Sequence, residues 1–101
     1  MPKNVFIDIN DGPTSAEFSP KTQTVAVGDL IYWRNNTKNM HELVLKSKPD
    51  QAWGPQIPGK LDGQPAPTSQ KAMVFGAATA PTGVDYISKL YPEVTGTIIA
   101  K

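Results

Sequence analysis

The chain contains no cysteine. Disulfides, zinc–thiolate sites, thiol catalysis and a copper thiolate are therefore excluded. This absence does not fix the compartment, since cytosolic and exported proteins alike can do without cysteine. No apolar run approaches the roughly 18 residues that a membrane-spanning helix needs. Charge of one sign is also missing. Ten Lys and Arg stand against nine Asp and Glu, a formal net charge of +1. The basic residues are scattered, so neither nucleic acid nor an acidic membrane is implied as a partner. The opening "MPKNVFIDIN" alternates at once and shows no charged region followed by an apolar one. No signal peptide is expected in this chain, and a mature exported protein would begin in the same way.

What is present suits one domain over residues 1–101, with 39% hydrophobic residues to form one core. The period is two, and no segment carries a long helical stripe. Val5, Ile7 and Ile9 alternate with Asn4, Phe6, Asp8 and Asn10. "TVAV" (24–27) leads through Gly28-Asp29 into "LIYWR" (30–34), which reads as two strands with a tight connection. "HELVLK" (41–46), "KAMVF" (71–75), "VDYIS" (84–88) and "GTIIA" (96–100) read as further strands. Short strands at this spacing predict a β-sandwich. Val5, Ile7, Val25, Val27, Ile31, Trp33, Leu43, Val74, Tyr86 and Ile98 are its expected core. Residues 47–69 break the rhythm with Pro49, Pro55, Pro58, Pro65 and Pro67. Proline removes backbone donors, so this stretch reads as an irregular crossover, with room for one helical turn, pinned by Trp53 and Ile57. Asn35-Asn36-Thr37 matches a glycosylation triplet, a pattern that is common by chance.

"FSPKTQTVAVGDLIYWRNNTKNMHELVL" (18–45) resembles the first half of a cupredoxin. Phe18, Pro20, Val25, Val27, Gly28, Asp29, Trp33, Asn35, Asn36 and His41 carry the likeness. The resemblance implies a single-domain, all-β, Greek-key sandwich of seven to eight strands. It also implies a periplasmic or extracellular location. In that family the last two strands are joined by Y-x-C-x-x-H-x-x-M-x-G, whose Cys, His and Met bind copper beside an earlier His. Here the segment is "YISKLYPEVTG", and anchoring it on Tyr86 and Gly96 requires no gap. Ser88 falls at the Cys position, Tyr91 at the His position and Val94 at the Met position. The earlier His remains as His41, but the Asn that commonly follows it is Glu42. A type 1 copper centre needs two imidazoles, a thiolate and a weak axial ligand.

Several side chains near this loop invite chemistry. His41, with Met40, is a candidate copper anchor. Adjacent strand residues point to opposite faces, so the two would not easily share one metal. The plainer reading gives His41 a hydrogen-bonding role and leaves Met40 in an exposed loop. Glu42 and Glu93 are weaker candidates for a hard N/O site, and such residues are more often solvated charges. Ser88 beside His41 suggests a nucleophile and base. No orienting group or oxyanion donor can be read with them, so an enzyme is not expected. Trp53, Leu90 and Tyr91 are expected nearer a surface. The expectation is a non-redox binding or structural module. No cofactor is required, though copper is possible, and a protein partner would dock at the loop from Lys89 to Val94. The alternative is copper carriage or electron transfer at a site rebuilt around His41.

Overall fold

The computed structural model describes residues 3–11, 16–79, 83–89, 91 and 94–101. Among them are eight strands and no helix. These are β1 (Asn4–Asp11), β2 (Ala16–Ser19), β3 (Thr22–Val25), β4 (Leu30–Asn35), β5 (His41–Leu45), β6 (Gln56–Ile57), β7 (Val84–Ser88) and β8 (Thr95–Ala100). They form two sheets, with strand orders β2-β1-β4 and β3-β8-β7-β5-β6. The β1–β4 and β3–β8 pairs are parallel; the other pairs are antiparallel.

Alternation dictates which residues lie between the sheets. Ile7 and Ile9 of β1, Ile31 and Trp33 of β4, Leu43 of β5, Tyr86 of β7 and Ile98 of β8 are fully buried. In the three-stranded sheet their neighbours turn to the outer face, while Val44 and Ile87 beside Leu43 and Tyr86 are buried as well. Phe6 stacks on Tyr32, and the Arg34 guanidinium lies over the Phe6 ring while pairing with Asp8 at 3.2 Å. An aromatic cluster joins the two sheets. The Trp33 indole N–H donates to the Tyr86 hydroxyl at 3.1 Å, and Phe18 and Trp53 pack against the Tyr86 ring. Burial raises the Tyr86 phenol far above its ordinary range, and the bond from Trp33 offsets only part of that. Gly96 stands opposite Tyr86 in the ladder, where an added Cβ would fall within the ring.

Several expectations need correction or refinement. β3 and β4 are joined by a tight connection as expected, but they belong to opposite sheets. The turn between them, closed by Asp29 N–H on the Ala26 carbonyl, carries the chain across. Gly28 takes φ +94° at its third position, as a type II turn requires. Val27 sits at the second position of that turn and is therefore 41% exposed, outside the core. Residues 71–75 form no strand, only a single bridge from Met73 to Ile31. Met73 and Phe75 pack on the core, so Val74 between them points out and is 50% exposed. The crossover holds the short strand β6 rather than a helical turn. Ile57 is fully buried and Trp53 is half-buried against the core, so the two pin the crossover.

Two predictions follow from this packing. Trp33→Ala should lower the unfolding free energy by about 3–5 kcal/mol in urea titrations, because it empties the centre of the cluster. Asp29 gives an acid-side test. Its carboxylate accepts from the Lys3 N–H at 3.0 Å and the Ala26 N–H at 2.9 Å, which holds its pKa below the ordinary value. The stabilisation is therefore complete above the unfolded value of about 3.9 and is lost as pH falls through the lower folded value. Asp29→Ala should differ from the parent in urea midpoint at about pH 6, and the difference should shrink by about pH 2.

Candidate functional site

One end of the sandwich holds a buried chain of polar side chains. β4 ends on Asn35, β5 begins on His41 and β7 ends on Ser88. All three are fully buried, as is Thr37 in the connection between β4 and β5. The Ser88 Oγ lies 2.7 Å from His41 Nδ1, and the Thr37 Oγ1 lies 2.9 Å from His41 Nε2. Thr37 Oγ1 is also 2.7 Å from Asn35 Oδ1, which has no hydrogen to give. It lies 3.1 Å from the Asn39 carbonyl as well, so its single proton goes to one of two oxygens that have none to give. Thr37 then accepts from Nε2–H of the imidazole. In the neutral ring Nδ1 is the acceptor, and Ser88 donates to it. In this tautomer donation runs from Ser88 to His41 to Thr37, and on to Asn35 or the Asn39 carbonyl.

Asn35 anchors this relay. Its Nδ2 donates to the Asn39 carbonyl at 2.8 Å and to the Pro58 carbonyl at 2.9 Å. Its Oδ1 also accepts from the Thr37 N–H at 2.9 Å. A buried amide needs such partners on both ends. The glycosylation triplet is thereby accounted for differently: a carboxamide and hydroxyl sealed inside the fold take no glycan.

The loop after Ser88 closes over the imidazole. Lys89 N–H donates to the Glu42 carbonyl at 2.8 Å, Tyr91 N–H to the Ser88 carbonyl and Val94 N–H to the Tyr91 carbonyl, each at 3.0 Å. Tyr91 is half-buried, its ring tilted against His41 with centroids 5.7 Å apart. Its hydroxyl accepts from Asn39 Nδ2 at 3.1 Å. Val94 is buried in the core. His41, Ser88 and Tyr91 therefore meet at one end. Met40 does not join them: it is 52% exposed and His41 is fully buried. Glu42 turns aside, its carboxylate 3.3 Å from Gln56 Nε2. Glu93, Leu90 and Pro92 lie outside the described residues. Among the described residues no three His, Cys, Asp or Glu side chains gather where a metal could sit.

Solved structures with the same architecture exist. The amicyanin of Paracoccus versutus (Thiobacillus versutus) superposes with a TM-score of 0.69 at 18% identity, covering 97% of this chain and 81% of its own. A reduced-state amicyanin mutant gives 0.68 at 18% identity, with coverages of 97% and 82%. A third, a reduced Cu(I) form of an amicyanin mutant, gives 0.65 at 18% identity, again with 97% and 82%.

The chain has the cupredoxin fold.

At such identities the likeness is one of fold. No protein-family model and no curated protein matches the sequence. The cupredoxin sandwich explains why strands distant in sequence converge on His41. Thr37 and Asn35 were not singled out from the sequence as site residues. The available signal was a hydroxyl and an amide within six residues of the only His, in a stretch otherwise read as a glycosylation triplet.

The relay should be a unit. Ser88→Ala removes the hydroxyl facing Nδ1, and Thr37→Val removes the one facing Nε2. Each should cost about 1–3 kcal/mol of stability. The double variant should cost less than the sum of the two, as is usual for partners in one network. Urea unfolding of the three variants checks this; strict additivity would show that the two hydroxyls act independently.

Proposed function

We propose that this cupredoxin-like domain is a non-redox binding module whose former metal end serves as a contact surface. The observation that carries this reading is the relay itself. Both ring nitrogens of His41 face hydroxyl oxygens within hydrogen-bond distance. The positions that would complete a copper site hold Ser88, Tyr91 and Val94, two hydroxyls and an alkyl group. This donor set does not fit type 1 copper, which requires a thiolate and a second imidazole. Hydroxyls are hard and weakly basic, and Val94 has no donor atom. An enzyme is equally disfavoured, because Ser88 is fully buried.

The contact surface would be built from the loops around His41. Lys60 N–H donates to the Thr37 carbonyl at 2.7 Å, which fastens the crossover to the β4–β5 connection. Met40 and, at 71%, Leu61 are the exposed apolar side chains of these two loops. Exposed Lys89 and half-buried Tyr91 complete the end. A protein partner fits this mixture of apolar tips and solvated charge better than a small ligand does. By its family resemblance the domain would work in the periplasm or outside the cell.

The reading is tested on protein purified without added metal. It should be colourless, contain far less than one equivalent of copper, and show no intense visible band when Cu(II) is added. The contrary result, stoichiometric copper lost in His41→Ala, would establish copper carriage or electron transfer at a rebuilt site instead. Replacing Ser88→Cys, Tyr91→His and Val94→Met together should create a thiolate–imidazole donor set and an intense visible absorption with Cu(II). A folded triple variant that binds copper no better than the parent would show that the loop no longer holds the geometry of a copper site.

A further inference from the structure

The parity of the backbone leaves one strand edge open. β1 meets β4 through its odd residues: Leu30 N–H donates to the Lys3 carbonyl and Asn36 N–H to the Ile9 carbonyl, each at 2.8 Å. The even residues therefore turn their N–H and C=O groups to the other side. There Asp8 and Asn10 stand opposite Ser19 and Glu17 of β2. Asn4 and Phe6 come next along that edge, but the chain leaves this sheet after Ser19 and re-enters as β3 in the other. Among the described residues no hydrogen bond reaches the backbone of Asn4 or Phe6 from that side.

The facing edge of β3 is treated differently. Its odd residues serve β8, with Lys101 N–H on the Val25 carbonyl and Thr97 N–H on the Lys21 carbonyl. Of the groups turned outward, the Thr24 carbonyl accepts from the Gln23 carboxamide at 2.8 Å, and the Ala26 N–H donates to Asp29 at 2.9 Å. This lip is capped in part by the chain's own side chains, whereas no such cap meets Asn4 or Phe6 among the described residues. Between the two edges lies a cleft of about 510 Å³, lined in part by Lys3, Val5, Thr24, Val25 and Lys101. Val5 packs on the core and forms an apolar floor. Lys3 and Lys101 are exposed at the rim. Asp29 also borders the cleft, but its two oxygens are committed to the Lys3 and Ala26 N–H groups.

We propose that this cleft receives an extended segment of another protein, added antiparallel to β1 at Asn4 and Phe6, in line with β2. Strand addition satisfies the open backbone groups and takes its specificity from alternate side chains. The incoming residue opposite Val5 points inward and should be apolar. The residues on either side of this central stretch should be acidic, because the rim carries Lys3 and Lys101. The site lies by the start of β4, whereas Asn35 and the His41 relay lie at its end, so it is independent of the contact surface proposed above.

The test is amide NMR of the whole chain with three capped peptides: Asp-Thr-Val-Thr-Asp, Asp-Pro-Val-Pro-Asp and Lys-Thr-Val-Thr-Lys. The first should shift the amides of residues 4–7 and slow hydrogen exchange at Asn4 and Phe6 by about tenfold at saturation. The second lacks the N–H groups that would pair with β1 and should produce no slowing. The third should bind several-fold more weakly, with the difference vanishing at high salt. Three results would overturn the proposal: slow exchange at Asn4 and Phe6 in the free protein, equal effects from all three peptides, or shifts elsewhere in the fold. Protection that rises with protein concentration alone would also overturn it, by identifying a second copy of the chain as the occupant.

Discussion

The carboxamide of Asn35 holds together stretches of chain that strand pairing leaves separate. It closes the end of β4, fixes Thr37 and Asn39 in the following connection and reaches the carbonyls of Ile57 and Pro58 in the crossover. An amide can do this because it offers two donors and an acceptor on a short, stiff side chain. Through Thr37 the same group orients the imidazole of His41, and through His41 it reaches Ser88 on β7. Strands from the two sheets are thus connected at this end by polar contacts and at the centre by the Trp33–Tyr86 bond. A fully satisfied buried network favours one arrangement of its loops, because any other strands polar atoms away from water.

Much of the fold was legible because alternation is a local property. Ile7, Ile9, Ile31, Trp33 and Tyr86 follow from period two alone, and the ordered resemblance to cupredoxins supplied the sandwich. The misread elements share a cause. Val27 has the composition of a strand residue, but its position is set by the turn that Gly28 permits. Val74 lies in an apolar run whose facing is set by one bridge between Met73 and Ile31. The tight connection within 24–34 was legible but its destination was not, because a short connection looks the same whether it returns within a sheet or crosses to another. At the site, His41 and Ser88 were legible through the loop's spacing. Asn35 and Thr37 were not, because a polar network is defined by closeness in space across residues from 35 to 88.

The crossover shows how little regular structure a long connection requires. Only Gln56 and Ile57 form a strand. Gly54 N–H donates to the Leu43 carbonyl and Leu43 N–H to the Pro55 carbonyl, so the segment runs beside β5 on few bonds. Further on, Ser69 exchanges bonds with the backbone of Trp33, its N–H donating to the carbonyl at 2.8 Å and its Oγ accepting from the N–H at 3.0 Å. The outer edge of β4 is covered in this way without a continuous strand, and an exposed edge there is avoided. Prolines fit this route, because a segment that makes few ladder bonds loses little when donors are removed.

A loop that closes on a metal depends on the metal for part of its order, whereas this loop closes on itself. Lys89, Tyr91 and Val94 each donate a backbone N–H within the loop or to Glu42, and Asn39 ties the Tyr91 hydroxyl to the facing connection. On the proposed reading, the order of this end belongs to the folding free energy of the chain and not to a binding equilibrium. The surface it presents would then be constant across metal supply and redox conditions. That constancy suits a contact surface better than a carrier, whose chemistry needs a ligand set that can exchange or change oxidation state. On the same reading, a hydrogen-bond relay standing where ligands would be changes more than the donor atoms. It also removes the dependence of the loop's shape on anything outside the chain.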